Sequence, residues 1–380
     1  MMERPSRYLV LVVVLFLAVM SLAGCGTAAP DERPSEESAA QPTAAPTVTM
    51  PAPTLSPTQI PVPTVSPTPA PEAASASSLA GTVTSLDGLS FEEFLDESYK
   101  QLLLRDPEYL TGIGLSEDFG LRNDRLRDLS DAYIRETQDL EVAILDLLRS
   151  YSQDELSRDL QVSVDVYEWY LDNQVRGHQF MYHDYPLHHF IRSYHFDLDS
   201  LFGEIHPLGS RQDVEDYVAR LSQVDDQVEQ LMEGLQIREE LGVIPPAHII
   251  EMARQDMIHY LEMSSPDRAD IKAESLPVYA RFSRDIEELD ELGEEEKEEF
   301  RRAAVEAIEE SFVPAYLKLI DYYEYLRPLA GKEAGVWKLP EGDGYYAYML
   351  RQETSTDLTP AEIHELGLAE VARIQGEMRQ

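Results

Sequence analysis

This sequence predicts an all-α fold, mainly long antiparallel helices and hairpins with at most a short strand or two, preceded by a disordered stalk. Three observations carry that expectation. From residue 86 onward apolar residues recur at steps of three and four, the period of one helix face. No alternating apolar–polar run lasts long enough for a sheet, and only Gly335 to Leu339 reads as a short strand. Residues 26–85 are rich in Pro, Thr, Ser and Ala and carry few large apolar side chains, so they cannot build a core.

The chain begins with Arg4 and Arg7, followed by the apolar run Tyr8 to Met20. Those 13 residues are shorter than the roughly 20 a membrane-spanning helix requires. A basic start, a short apolar stretch and then small residues predict a secretory signal over residues 1–25. It ends Leu22-Ala23-Gly24-Cys25, which looks like a lipobox, in which the cysteine is lipidated and becomes the new N-terminus. More than one acyl chain on Cys25 anchors a protein stably without a transmembrane helix. The competing reading is an ordinary signal peptide with a chance cysteine.

Residues 26–85 follow as a linker. Twelve of the 24 prolines lie between Pro30 and Pro71, and proline favours extended polyproline II. At about 3.1 Å per residue such a stalk reaches on the order of 180 Å.

Helices then follow in order. Ser90 and Glu93 form a plausible capping box before FEEFLDESYKQLLL. Tyr133, Thr137, Leu140, Ile144, Leu147, Leu148 and Tyr151 share one helix face, and Val162, Val166, Trp169 and Tyr170 continue the spacing in the next helix. Ser210 starts a long helix whose Val214, Tyr217, Leu221, Val224, Val228, Leu231 and Leu235 form an a/d seam, stopped by Gly242. The seam covers about three heptads, which suits a hairpin inside one domain better than a coiled-coil dimer. Pro245-Pro246 opens the next helix. Glu294 to Tyr325 is a further long helix, acidic at its dipole-favoured start and kinked by Pro314. Thr359-Pro360-Ala361-Glu362 caps a last helix carrying Ile363, Leu366, Val371, Ile374 and Met378.

The charge narrows the function. There are 31 Lys+Arg against 71 Asp+Glu, a formal net charge of −40. Nucleic acid is therefore not an expected partner. Residues 1–25 carry +1 and residues 26–85 carry −4, so −37 falls on residues 86–380. One cysteine, taken by the lipid, excludes an intramolecular disulfide and a cysteine nucleophile. No Gly-rich phosphate loop followed by Lys and no G-x-S-x-G elbow is present.

Two histidine features invite a metal reading. His178, His183, His188, His189 and His195 cluster, but their spacings do not set two imidazoles at i, i+4 on one helix face. They are read as lining a polar loop or groove edge, with a metal or catalytic role as the lesser alternative. His364-Glu365 resembles the start of H-E-x-x-H, but the fifth residue is Leu368, which leaves zinc without a ligand pair.

The segment Trp337 to Gln380 carries the most distinctive pattern. Gly344-Tyr345-Tyr346, Leu350-Arg351, Thr354 to Thr356 and Glu362 to Val371 resemble the DUF885 group of bacterial proteins, counted among the HExxH metallopeptidase-like superfamily. Pro107 to Gly114, Asp213 to Leu221, and Glu240-Leu241-Gly242 with Pro245-Pro246 agree more weakly, so the resemblance covers about residues 90–380. It implies a large helical fold, a zinc-dependent peptidase activity, and a zinc-binding helix C-terminal to the point where this chain stops. No zinc ligand carries over, so zinc is expected in the complete family member and no cofactor or catalytic residue in this chain. The helical domain, residues 86–380, is expected to be incomplete at its C-terminus; a natural short form that lost catalysis is the alternative.

Tyr345, Tyr346, Arg351 and His364 are the candidate substrate-binding residues. They read either as a turn-and-cap anchor or as a cleft edge, where Arg351 suits a bidentate carboxylate contact. The expected protein is thus an extracytoplasmic lipoprotein, anchored to the bacterial cell membrane through Cys25, with peptides as partners. A non-catalytic binding protein and a purely structural envelope protein are the rival classes.

Overall fold

The fold comes from a computed structural model that describes residues 79–152 and 156–379. The signal segment, Cys25 and the stalk to residue 78 lie outside the described residues. Helix α1 spans Leu79–Leu86, so the last residues assigned to the linker, 79–85, are helical. The reason is local: Leu79, Val83 and Leu86 step by four and three and pack on the first core.

That core is the smaller of two. It joins α1 to α2 (Phe91–Leu103) and to the hairpin of α4 (Asp131–Ser150) and α5 (Arg158–Gly177). Between α2 and α4 lies the short α3, Pro107–Gly112, capped by Asp106. Ser90 and Glu93 close their capping box, with the Ser90 N–H donating to Glu93 at 3.0 Å. Helices α4 and α5 run antiparallel, and Glu141 meets His178 while Arg149 meets Glu168. The buried face of α5 is Val164, Tyr167 and Leu171, not the predicted Val162, Val166, Trp169 and Tyr170. Both stripes have helical spacing; the choice is tertiary, because Tyr167 reaches Ser98 of α2 at 3.1 Å.

The larger core gathers α6 (Tyr194–Ser200), α7 (Arg211–Leu221), α8 (Val224–Glu240), α9 (Ala247–Glu262), α10 (Pro277–Glu287), α11 (Glu294–Ala307) and α12 (Val313–Leu326). All seven predicted seam residues are buried. The helix nevertheless breaks into α7 and α8 at Ser222-Gln223. There the Ser222 hydroxyl and the Gln223 amide donate to the carbonyls of Val218 and Ala219, competing with the helix ladder. Gly242 has φ +77° and ends α8. The Val243 N–H bonds to the Arg238 carbonyl and the Gly242 N–H to that of Glu239, a Schellman motif. Before Pro314 the kink takes the form of a π-turn, Ile308–Phe312. Proline cannot donate to the helix ladder, and the wider turn absorbs the missing bond.

Buried tyrosines donate to backbone carbonyls across the larger core. Tyr323 donates to Leu187 at 2.6 Å and Tyr316 to His195 at 3.3 Å. A second polar device joins the irregular segment 122–129 to α7 and α8. Asp216, Arg220, Gln223, Gln227 and Gln230, spaced four, three, four and three, each bond its backbone: the carboxylate and the Gln223 and Gln230 carbonyls accept N–H groups, and Arg220, Gln223 and Gln227 donate to its carbonyls.

The predicted strand at 335–339 is a 3₁₀ turn, Val336–Lys338, and the described residues contain no strand to pair with it. Helix α13 spans Gly342–Thr354, with Gly342-Asp343-Gly344 in its first turn. Thr359 and Glu362 cap α14, Pro360–Met378, through bonds of 2.7–3.3 Å. This helix buries no residue, and Leu366, Val371, Ile374 and Met378 stand exposed. Among the described residues no helix is long and apolar enough to cross a membrane.

Candidate binding cavity

Where the two cores meet, a cavity of about 640 Å³ opens. Its walls come from the α2–α3 link, segment 127–129, α4, the end of α5, residues 181–198, α8, and Tyr348 of α13. That volume suits a small organic ligand. The lining is polar, aromatic and charged of both signs.

Helix α4 contributes Glu141, an acidic residue on the face that also buries Ile144, Leu145 and Leu148. Its carboxylate lies 2.6 Å from His178 Nε2 at the end of α5. Tyr170 stands nearby, its hydroxyl pushed well up by burial and by the Glu141 charge. Among the described residues the Gln174 side chain has no hydrogen-bond partner, and that of Gln138 reaches only Met181 Sδ at 3.5 Å. Tyr348 overhangs Gly177 so closely that a Cβ there would overlap its hydroxyl.

Most charges are internally paired. Arg105 lies 3.6 Å from the Tyr133 ring centroid and bonds Glu136 at 3.1 Å. Arg127 bonds Asp106 at 3.1 Å; burial works against its charge, but Asp106 and Glu108 outweigh it and raise its pKa. Arg238 holds Asp184 at 2.5 Å and lies over Tyr182. Burial and a bond to Asp131 raise Tyr182 to about 12. Arg192 and Asp197 line the cavity with neither a side-chain hydrogen bond nor a salt bridge among the described residues, though their charges are close enough to influence each other.

None of the four residues singled out in the sequence lines this cavity. Arg351, its side chain 15 % exposed, bonds Asn173 at 2.6 Å, Asp357 at 3.0 Å and Asp172 at 3.4 Å, and lies over Trp169. It fastens α13 to α5. Tyr345 is half-buried against Phe180 and His183. Tyr346 is exposed, and His364 stands on the exposed α14. The structure therefore places Tyr345, Tyr346 and Arg351 on α13 and His364 on α14, all outside this cavity. Their neighbour Tyr348 is the α13 residue that reaches the cavity.

The histidine cluster disperses. His178 lines the cavity. His183 bonds the Pro340 carbonyl at 2.8 Å, and His188 Nδ1 accepts the Phe190 N–H at 3.1 Å. His195 is buried against Ser193, and burial pushes it down to about 4. Among the described residues no three His, Cys, Asp or Glu side chains converge to hold a metal ion.

Residues 107–380 match the family of bacterial proteins of unknown function designated DUF885. The chain belongs to the DUF885 family. The family match takes in every cavity wall except the α2–α3 link before Pro107. The fold is similar to the crystal structure of "the putative lipoprotein from Colwellia psychrerythraea", with a TM-score of 0.60 and 21% identity. The alignment covers 80% of this chain and 51% of that one, so this DUF885 chain spans about half its solved relative's length. No curated protein matches it.

Proposed function

We propose that this chain is the helical N-terminal portion of a membrane-anchored, extracytoplasmic DUF885 lipoprotein, and that its cavity holds a short peptide. The observation that carries this reading is the cavity itself. Gln138 and Gln174 offer amide groups with little or no protein partner, as suits the alternating N–H and C=O groups of a peptide. Tyrosine rings beside them supply apolar area with a polar tip.

In this reading the hydrolytic chemistry is that of a zinc-dependent peptidase. The described residues hold no donor set that fits zinc. This chain's own contribution is to bind and orient. Two further facts support a longer functional protein: the coverage of the solved relative, and the uncovered apolar stripe of α14.

Titration of the full chain with N-acetyl-trialanine amide tests the cavity. Binding that weakens at least tenfold in the double variant Gln138→Leu, Gln174→Leu supports the reading, and no binding refutes it. For the enzyme class, an in-frame genomic continuation beyond Gln380 with H-E-x-x-H supports peptidase chemistry. A stop codon there leaves a non-catalytic peptide-binding protein. For the anchor, Cys25→Ser should release the protein into the medium; retention on the membrane counts against lipidation.

A further inference from the structure

The cavity's charges are unequal in what they can still do. Arg105, Arg127 and Arg238 are each spent on a carboxylate of the protein. Arg192 is the lining arginine left without one, and it is exposed. Its backbone lies in the left-handed region, φ +70°, which is costly for a side chain of this size.

The loop that holds this conformation is tied down immediately after it. The fully buried Ser193 hydroxyl accepts the His188 N–H at 2.9 Å and lies 3.0 Å from His195 Nδ1. The Tyr194 N–H bonds the Pro186 carbonyl at 2.9 Å, and the Tyr194 hydroxyl bonds Gln227 at 2.8 Å. A rigid base therefore presents a guanidinium that no protein group consumes.

We propose that Arg192 receives the terminal carboxylate of a peptide bound in the cavity, making the site selective for peptides with a free C-terminus. A guanidinium fork matches a carboxylate in two parallel bonds. Asp197 lines the same cavity and is close enough for the two charges to influence each other. It repels a second negative charge. The net charge of −40 acts in the same direction at longer range, against phosphates and polyacidic chains. A single carboxylate on an otherwise neutral chain is the anion that fits.

This inference rests on the peptide-binding reading, and one experiment separates their fates. The full chain and its Arg192→Gln and Arg192→Lys variants are titrated with N-acetyl-trialanine, its C-terminal amide, and N-acetyl-Ala-Glu-Ala amide. The wild type is expected to bind the free carboxylate at least tenfold more tightly than the amide. Arg192→Gln should erase that preference while leaving amide binding within twofold, and Arg192→Lys should keep part of it. Equal binding of acid and amide by the wild type, or a preference that survives Arg192→Gln, overturns the role of Arg192. A gain for the glutamyl peptide equal to that for the free terminus overturns the C-terminal selectivity. No binding of any peptide overturns the reading beneath. Since Arg192 is exposed, an unchanged thermal melt of Arg192→Gln confirms that the comparison is made on folded protein.

Discussion

Acid should loosen this fold through one buried imidazole in particular. His206 is fully buried, and neither ring nitrogen has a hydrogen-bond partner. Burial pushes it down to about 3, helped by the guanidinium groups of Arg220 and Arg281. In the unfolded chain it returns to about 6.5. As pH falls below 6.5 the unfolded state takes up a proton that the folded state refuses, so stability is complete above that value and is lost as pH falls toward 3. The slope is about 1.4 kcal/mol per pH unit, or about 2 kcal/mol between pH 7.5 and pH 5. Urea unfolding of the wild type and of His206→Leu at pH 7.5, 6.5 and 5 isolates this contribution, because carboxylates and net charge are common to both. The leucine variant can differ in absolute stability through repacking. Its stability should nevertheless fall by about 2 kcal/mol less over that range. Parallel pH dependence of the two proteins would refute the assignment.

Other expectations follow from the same geometry. Gly177→Ala forces Tyr348 away from the end of α5, so α13 should become the first site of limited proteolysis, at a cost of about 1–3 kcal/mol in urea unfolding. Arg351→Ala strands the buried Asn173 and should lower stability by about 1–3 kcal/mol, whereas His364→Ala, on an exposed helix, should change it by less than about 0.5 kcal/mol. Arg220→Met removes one partner each from Thr111 and from the Pro107 and Arg125 carbonyls; urea unfolding should show a loss of about 2–4 kcal/mol.

Much of the helical framework was legible because its signals are local. The seam of α7 and α8, the caps at Ser90 and Thr359, the stop at Gly242 and the disturbance at Pro314 each depend on residues within a few positions. Where two stripes of one helix were both apolar, as on α5, the period could not choose, and Tyr167 decided it by reaching α2. The cavity was not legible because its walls come from segments far apart in sequence. One signal was available: Glu141 sits on the apolar face of α4, where a carboxylate needs a partner. In the sequence His178 stands only as one of a cluster, and its meaning comes from Glu141, 37 residues away. Arg192 carries no sequence mark at all, because its distinction is that no hydrogen bond or salt bridge among the described residues engages it.

The polar stripe of α7 and α8 explains why a cavity exists between the two cores. Segment 122–129 has no strand or helix partner, so its N–H and C=O groups must be met by side chains if the segment is to lie against the protein. Asp216 accepts the Asn123 N–H at 2.9 Å, Gln227 donates to the Arg127 carbonyl at 2.8 Å, and Gln230 accepts the Leu129 N–H at 2.7 Å. Arg220 extends this ladder to α3, bonding the Pro107 carbonyl and Thr111 without any carboxylate partner, and burial pulls its pKa down to about 10. Pro107 to Gly114 and Asp213 to Leu221, far apart in the chain, thus meet in space through one guanidinium. Leu129, Gln227 and Gln230 also line the cavity, so the ladder is one of its walls. Bringing α4 closer to α8 to fill the space would carry this segment off its partners and strand several buried polar groups at once, each at about 1–3 kcal/mol. Apolar collapse of a polar-lined space of this size offers no comparable return. The opening is therefore held by fixed hydrogen bonds on its larger-core side.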